Sequence, residues 1–222
     1  MPDIKIKEWG GEDILTCAES LSTQPYTLFF DSNRPNHPSS EWSFLCWSPC
    51  ETITAKNGVI THNGERIEED DVFKFLQARL GTYQFTNDKN IPFTGGIAGY
   101  WGYDLGRELE HLPATTTDDI NTPDMMVGIY TNVLAHHHTT NKTWLIGDTP
   151  KINPQNPNDV IPPVAWQAQK TETAYKDDIG RVIDYIYAGD VYQVNVSRRF
   201  DVDLPKNFDS FQHYKHLRAV NP

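Results

Sequence analysis

A helical period that stops at a glycine and restarts as a two-residue alternation is the feature that most restricts how this chain folds. Ile179, Val182, Ile183, Tyr185, Ile186 and Tyr187 recur at helical spacing, so Thr173 to Ala188 reads as an amphipathic helix. Gly189 supplies the stop, because glycine takes the left-handed backbone that closes a helix without strain. From there Tyr192, Val194 and Val196 alternate with Gln193, Asn195 and Ser197, which predicts a strand with one apolar and one polar face. An amide–amide–hydroxyl row suits a pocket for a polar small molecule, since such groups give and accept directional hydrogen bonds without charge. The same alternation is also the ordinary signature of a half-exposed strand, and Gln193 and Asn195 serve equally well bonded to neighbouring strands.

The rest of the chain alternates short strands with isolated helices. An opening strand carries Ile4 and Ile6, and a short helix follows around Asp13 to Ser20. Strands are expected over Tyr26 to Phe30, Trp42 to Trp47, Ile97 to Tyr103 and Val127 to Leu134. The last of these pairs with Thr143 to Ile146 across a turn at Thr139 to Asn141. Thr52 to Ala55 and Val59 to His62 flank Lys56-Asn57-Gly58, a hairpin signal because Asn-Gly accepts positive φ at a tight turn. Val72, Phe73, Leu76 and Leu80 recur at helical spacing behind an acidic start, predicting a helix over Asp70 to Leu80. Pro150 to Pro163 holds five prolines and three asparagines and reads as a linker. Strand pairs and separate helices without βαβ alternation predict an α+β fold with mainly antiparallel sheet. The expected organisation is an amino-terminal region over 1–150, a linker over 151–164 and a further region over 165–222.

Composition sets limits rather than identities. A net charge of −11 over 222 residues argues against nucleic acid or an anionic membrane as partner, because like charge repels polyphosphate. No apolar run reaches the ~18 residues of a membrane span, and the start lacks an apolar signal core, so a cytoplasmic location is expected. Cys17, Cys46 and Cys50 are too few for a disulfide framework and lack zinc spacing, so they read as reduced thiols. His136-His137-His138 reads as exposed strand-end histidines; only His136 and His138 share a strand face. The glycines of Gly95 to Gly102 lack the Lys-Ser/Thr end of a phosphate loop and instead suit close backbone approach. Asp104, Arg107, Glu108 and Glu110 read as a solvated charged turn.

Three stretches together resemble the chorismate-utilising enzymes, the component I subunits of aminodeoxychorismate and anthranilate synthases. They are YIYAGDVYQVNVSRRF (Tyr185 to Phe200), PFTGGIAGYWGYDLGRELE (Pro92 to Glu110), and LFFDS (Leu28 to Ser32) followed by WSFLCWSP (Trp42 to Pro49). The resemblance implies the amino-terminal half of a four-layer α/β/β/α fold with two large, mainly antiparallel sheets packed together. It implies that 165–222 begins the chorismate-binding region, and that the catalytic residues and the Mg²⁺ ligands lie in a second half. This half is then inactive alone, with no catalytic or metal-binding residue assigned in it. Chorismate is the implied substrate, and a glutamine amidotransferase subunit the implied source of ammonia. LFFDS sits closer to the aminodeoxychorismate side, where C4 is aminated on the folate route, than to the anthranilate side.

The resemblance also implies a pocket for L-tryptophan, built from Ser32, Ser39, Ser40, Glu41 and Trp42 and lined from the far side by Asn221 and Pro222. Short hydroxyls and an aromatic beside an apolar strand suit an indole and its zwitterion. Glu41 departs from the basic residue that many relatives carry, so it would have to meet the ligand's ammonium. Gln193 and Asn195 are candidates to support the chorismate site. Two readings compete: a non-catalytic, aromatic-rich module that binds a ligand such as carbohydrate, and a purely regulatory tryptophan-binding domain.

Overall fold

A computed structural model of the chain describes residues 5–34, 37–85, 87–113, 117–153 and 165–221. They group into two compact units, Met1–Asn156 with Arg218–Pro222, and Pro157–Leu217. The fold is α+β, and its two large sheets are antiparallel throughout.

In the first unit, β1 (Ile6–Glu8), β2 (Leu28–Phe30), β3 (Trp42–Cys46), β9 (Val133–His137) and β10 (Lys142–Ile146) form one sheet in the order β1-β10-β9-β3-β2. The other holds β4 (Glu51–Lys56), β5 (Val59–His62), β6 (Glu65–Arg66), β7 (Gly96–Trp101) and β8 (Met125–Tyr130) in the order β6-β5-β4-β8-β7. Asn57 and Gly58 turn β4 into β5 with φ of 49° and 74°, as the Asn-Gly signal predicts. Between β7 and β8 the backbones approach so closely that a Cβ on Gly99 would lie 2.2 Å from the Met126 carbonyl oxygen. The glycine-rich stretch therefore serves strand packing.

The run Val127 to Leu134, read from sequence as one strand, is two. β8 ends at Tyr130, the chain crosses from one sheet to the other at Thr131-Asn132, and β9 begins at Val133. Both sides of the crossing are fully buried, so hydrophobicity runs on without a break and hides the change of sheet. Asn132 holds the corner with its carbonyl accepting the Trp47 N–H (3.4 Å) and its side-chain oxygen accepting the Asp148 N–H (2.9 Å). The chain makes the same change between β3 and β4 at Ser48-Pro49.

Alternation decides what each face buries. Cys46, Val133, Ala135 and Ile146 from one sheet share a core with Ala98 and Tyr130 from the other, so the sheets pack on each other. The outer face of the second sheet packs Ile53, Ile60, Met125, Val127 and Ile129 against Val72 and Leu76 of helix α2 (Val72–Leu80). On the outer face of the first sheet, Leu45, Leu134 and Leu145 form a fully buried row across β3, β9 and β10. Helix α1 (Ile14–Leu21) buries Ile14, Cys17, Ala18 and Leu21. The three cysteines are free thiols; burial pushes Cys17 up to about 11 and Cys46 up to about 12, while Cys50 is exposed.

The second unit holds helix α3 (Glu172–Ala188), a ribbon of β11 (Gln167–Ala168) with β12 (Phe200–Asp201), and most of helix α4 (Ser210–Val220). Gly189 ends α3 in the left-handed region, φ 83°, as the sequence predicts. The strand expected from Tyr192 does not form. A strand needs a neighbour for its N–H and C=O groups, and among the described residues of this unit the only one, Gln167–Ala168, pairs with Phe200–Asp201. Tyr192 is fully exposed, and the Val196 carbonyl accepts the Tyr175 hydroxyl at 3.1 Å.

Candidate functional site

In the first unit, the loop after β2, the residues before β3 and the end of β9 enclose a polar cavity of about 830 Å³. Ser43, fully buried on the outer face of β3, bonds to two residues of the cavity wall, Ser32 and His138. The Ser43 hydroxyl accepts the backbone N–H of Ser32 at 2.9 Å and donates to Asp31 Oδ1 at 3.2 Å. It also lies 2.8 Å from His138 Nε2. Asp31 pairs with Arg218, Nε to Oδ2 at 2.5 Å, and the Arg218 carbonyl accepts the Asn33 side-chain amide at 2.8 Å. One buried hydroxyl thus orients Ser32, Asp31 and His138, and through Asp31 the guanidinium of Arg218. Arg34, His37, Pro38, Ser40, Glu41 and Thr139 complete the wall.

His136 and His138 lie on the same strand face, their rings 4.7 Å apart and edge-on. Burial holds both below the ordinary imidazole range; beside His138, Asp31 acts upward and Arg218 downward. Both are therefore neutral near pH 7. His137 turns to the other face, where it meets Glu41 at 3.1 Å and the Trp42 ring at 4.6 Å. The three histidines are half-buried rather than exposed, because β9 is an inner strand and its end is covered.

Of the residues singled out from sequence, Ser32, Ser40 and Glu41 lie on this wall. Ser39 is in the same loop, off the wall, with its N–H donated to His37 Nδ1 at 3.1 Å. Trp42 turns away. The alternation that turns Ser43 to the outer face of β3 sends the Trp42 ring into the core against Phe44 (6.0 Å) and Trp144 (5.6 Å). Asn221 is exposed and off the wall, and Pro222 lies outside the described residues. Asp31, Arg34, His37, Ser43, His138 and Arg218 were missed. The spacing of His136 and His138 on one face was the signal that pointed towards His138.

In the second unit, Asn195 lines a shallower cavity of about 320 Å³ with Asp178, Arg181, Tyr185 and the consecutive Val194, Val196 and Ser197. Gln193 is exposed and off its wall. Asp104 and Arg107 pair at 2.9 Å on a short 3₁₀ turn, Tyr103–Glu108. Among the described residues no group of three or more His, Cys, Asp or Glu side chains is arranged to hold a metal ion.

Residues 25–222 match the family described as chorismate binding enzyme. This chain belongs to the chorismate binding enzyme family. It is similar to aminodeoxychorismate synthase component 1 of Escherichia coli K12, at 32% identity over 219 residues, covering 90% of this chain and 47% of that protein. It is also similar to anthranilate synthase component 1 of Thermus thermophilus, at 32% over 203 residues, 82% of this chain and 43% of that protein. Among solved structures, anthranilate synthase component I from Streptococcus pneumoniae TIGR4 shares the fold, with a TM-score of 0.70 at 24% identity over 85% of this chain and 47% of that one. This chorismate binding enzyme chain thus spans about half the length of the relatives it matches. The family match reaches into both compact units, leaving out β1 and α1, and takes in every residue of the polar cavity's wall.

Proposed function

We propose that this chain is the amino-terminal part of an aminodeoxychorismate synthase component I. The complete protein then aminates chorismate at C4 with ammonia from a glutamine amidotransferase partner, in the cytoplasm, supplying 4-amino-4-deoxychorismate for para-aminobenzoate and folate. The observation that carries the reading is the family match over residues 25–222, joined to the similarity over 90% of the chain to a relative of that name. The 32% identity to a Thermus anthranilate synthase component 1 favours a second reading, amination at C2 with loss of pyruvate.

Mg²⁺ in such an enzyme would offset the charge of the chorismate dianion and assist loss of its hydroxyl as a Lewis acid. In this reading its ligands lie in the remainder of the protein. What this chain contributes is the polar cavity, which we assign to an amino acid of the tryptophan type. Arg34, Ser32 and Ser40 on its wall would meet the carboxylate, and Glu41 the ammonium. Like charge would set Glu41 against the carboxylate, so the zwitterion has one favoured orientation.

Supplying the complete protein with chorismate, Mg²⁺ and ammonium, and identifying the product by mass spectrometry, tests the assignment. An aminated product that keeps the enolpyruvyl group supports it. Anthranilate with stoichiometric pyruvate selects the second reading. The 222-residue chain alone is expected to turn over neither, and measurable product from it would place the active site within these residues.

A further inference from the structure

The proton inventory of the Ser43 cluster fixes more than its hydrogen bonds. A carboxylate paired with a guanidinium only accepts, so the single Ser43 proton goes to Asp31 Oδ1. Ser43 Oγ already accepts the Ser32 N–H, and one lone pair remains. The 2.8 Å contact to His138 Nε2 is then a hydrogen bond only if Nε2 carries the proton and donates. A neutral ring protonated at Nε2 has a bare Nδ1. That atom makes no hydrogen bond among the described residues, and His138 forms part of the cavity wall.

We propose that His138 is a specificity-determining residue of the cavity. Held as the Nε2–H tautomer by the Ser43–Asp31–Arg218 chain, it presents Nδ1 as an acceptor for the ammonium of a bound amino acid, an assignment that rests on the tryptophan-type reading above. Glu41 attracts that ammonium by charge, and His138 adds direction. A ligand without an ammonium loses the Nδ1 contact but keeps its carboxylate contacts.

The geometry also makes recognition pH-dependent. Protonating Nδ1 removes the acceptor and sets an imidazolium against the ammonium. The titratable and charged groups around His138 are His136 and His137 at the end of β9, Asp31 beyond Ser43, and Arg34, His37, Glu41 and Arg218 on the cavity wall. Burial, Arg218 and His137 oppose the cation, and Asp31 pulls towards it. Affinity for an amino acid is therefore full near neutral pH and falls as pH drops below the ordinary histidine range.

Two measurements on the complete protein test this. Long-range ¹⁵N–¹H NMR of the free protein reads the tautomer: Nε2–H is expected, and Nδ1–H overturns the proposal. Calorimetry then compares L-tryptophan with indole-3-propionate, which lacks the ammonium. His138→Leu is expected to weaken L-tryptophan about tenfold, the loss of one hydrogen bond to a charged donor, and indole-3-propionate by about twofold or less. His138→Gln, whose amide can donate to Ser43 and offer an oxygen, should restore most of the affinity and abolish its fall at acidic pH. Equal losses for both ligands overturn the role of Nδ1. An Nε2–H tautomer with no heat from L-tryptophan in the unsubstituted protein sinks the tryptophan reading, and the ammonium contact with it, while sparing the hydrogen-bond chain.

Discussion

Glu51 is a charge taken almost wholly out of water, 5% exposed, on β4. Arg79 grips it with Nε at 2.7 Å and Nη2 at 2.5 Å, Tyr83 donates its hydroxyl at 2.7 Å, and His62 Nε2 lies at 2.7 Å. The Arg79 hydrogen bonds outweigh the opposing burial and hold the Glu51 carboxyl down at about 2. Burial first, then the bond to Glu51, pushes the Tyr83 phenol up to about 12. The cluster ties β4 to the end of α2, and removing its carboxylate leaves the guanidinium half-buried without a partner. Glu51→Gln is expected to cost about 3 kcal/mol near neutral pH, in line with breaking a buried ion pair. Because folding depresses this pKa, the stabilisation is full above the unfolded value and is lost as pH falls towards 2. Urea unfolding should show a constant gap between variant and unsubstituted protein from neutral pH down to the ordinary glutamate range, then a narrowing gap as pH falls towards 2; a gap that persists unchanged would sink the account. Neither this cluster nor the Ser43 hub was legible in the sequence. Glu51 meets Arg79 across 28 positions and Asp31 meets Arg218 across 187, and no local period encodes such pairings.

At the scale of elements, local chemistry was legible wherever it acts within a few residues. Asp13 stands before α1, where the sequence predicts a helix start, and accepts the backbone N–H groups of Leu15 (3.0 Å) and Thr16 (3.1 Å). Asp13→Ala is expected to destabilise the chain by about 1 kcal/mol, and Asp13→Asn by clearly less, since an amide oxygen still caps. Thermal unfolding followed by circular dichroism checks this, and equal losses would show that charge rather than capping matters. The Asn57-Gly58 hairpin and the Gly189 stop were equally readable. The two misread segments share a cause. Alternation in Tyr192 to Val196 and the unbroken apolar run from Val127 to Leu134 state what each residue prefers to face, but not which backbone lies alongside. Pairing partners and sheet changes are long-range facts, and there sequence pattern stops short.

For the whole molecule, the two units differ in what they bury. The first holds the shared core of two sheets and the packed outer faces described above. Among the described residues of the second, Gln212 alone is buried. Its α3 buries none of its 17 residues, leaving Ile183, Tyr185 and Ile186 exposed at 45%, 53% and 42%. An apolar helical stripe without a covering surface gains little burial to offset the entropy of ordering it, and most helical stability in proteins comes from packing such a face. In the proposed full-length enzyme that stripe is the natural seat for further polypeptide, which also accounts for the unpaired YQVN segment. For the 222-residue chain, trypsin should therefore cut at Arg181 and at Arg198 or Arg199 about tenfold or more faster than at Lys142 in β10, since cleavage follows local opening. Hydrogen exchange should give the same order, with α3 amides exchanging well before those of β8 and β9. In the full-length protein both differences should shrink as the stripe is covered. Equal protection of α3 and β8 in the 222-residue chain would mean that the second unit stands on contacts of its own, and the need for a covering partner would fall away.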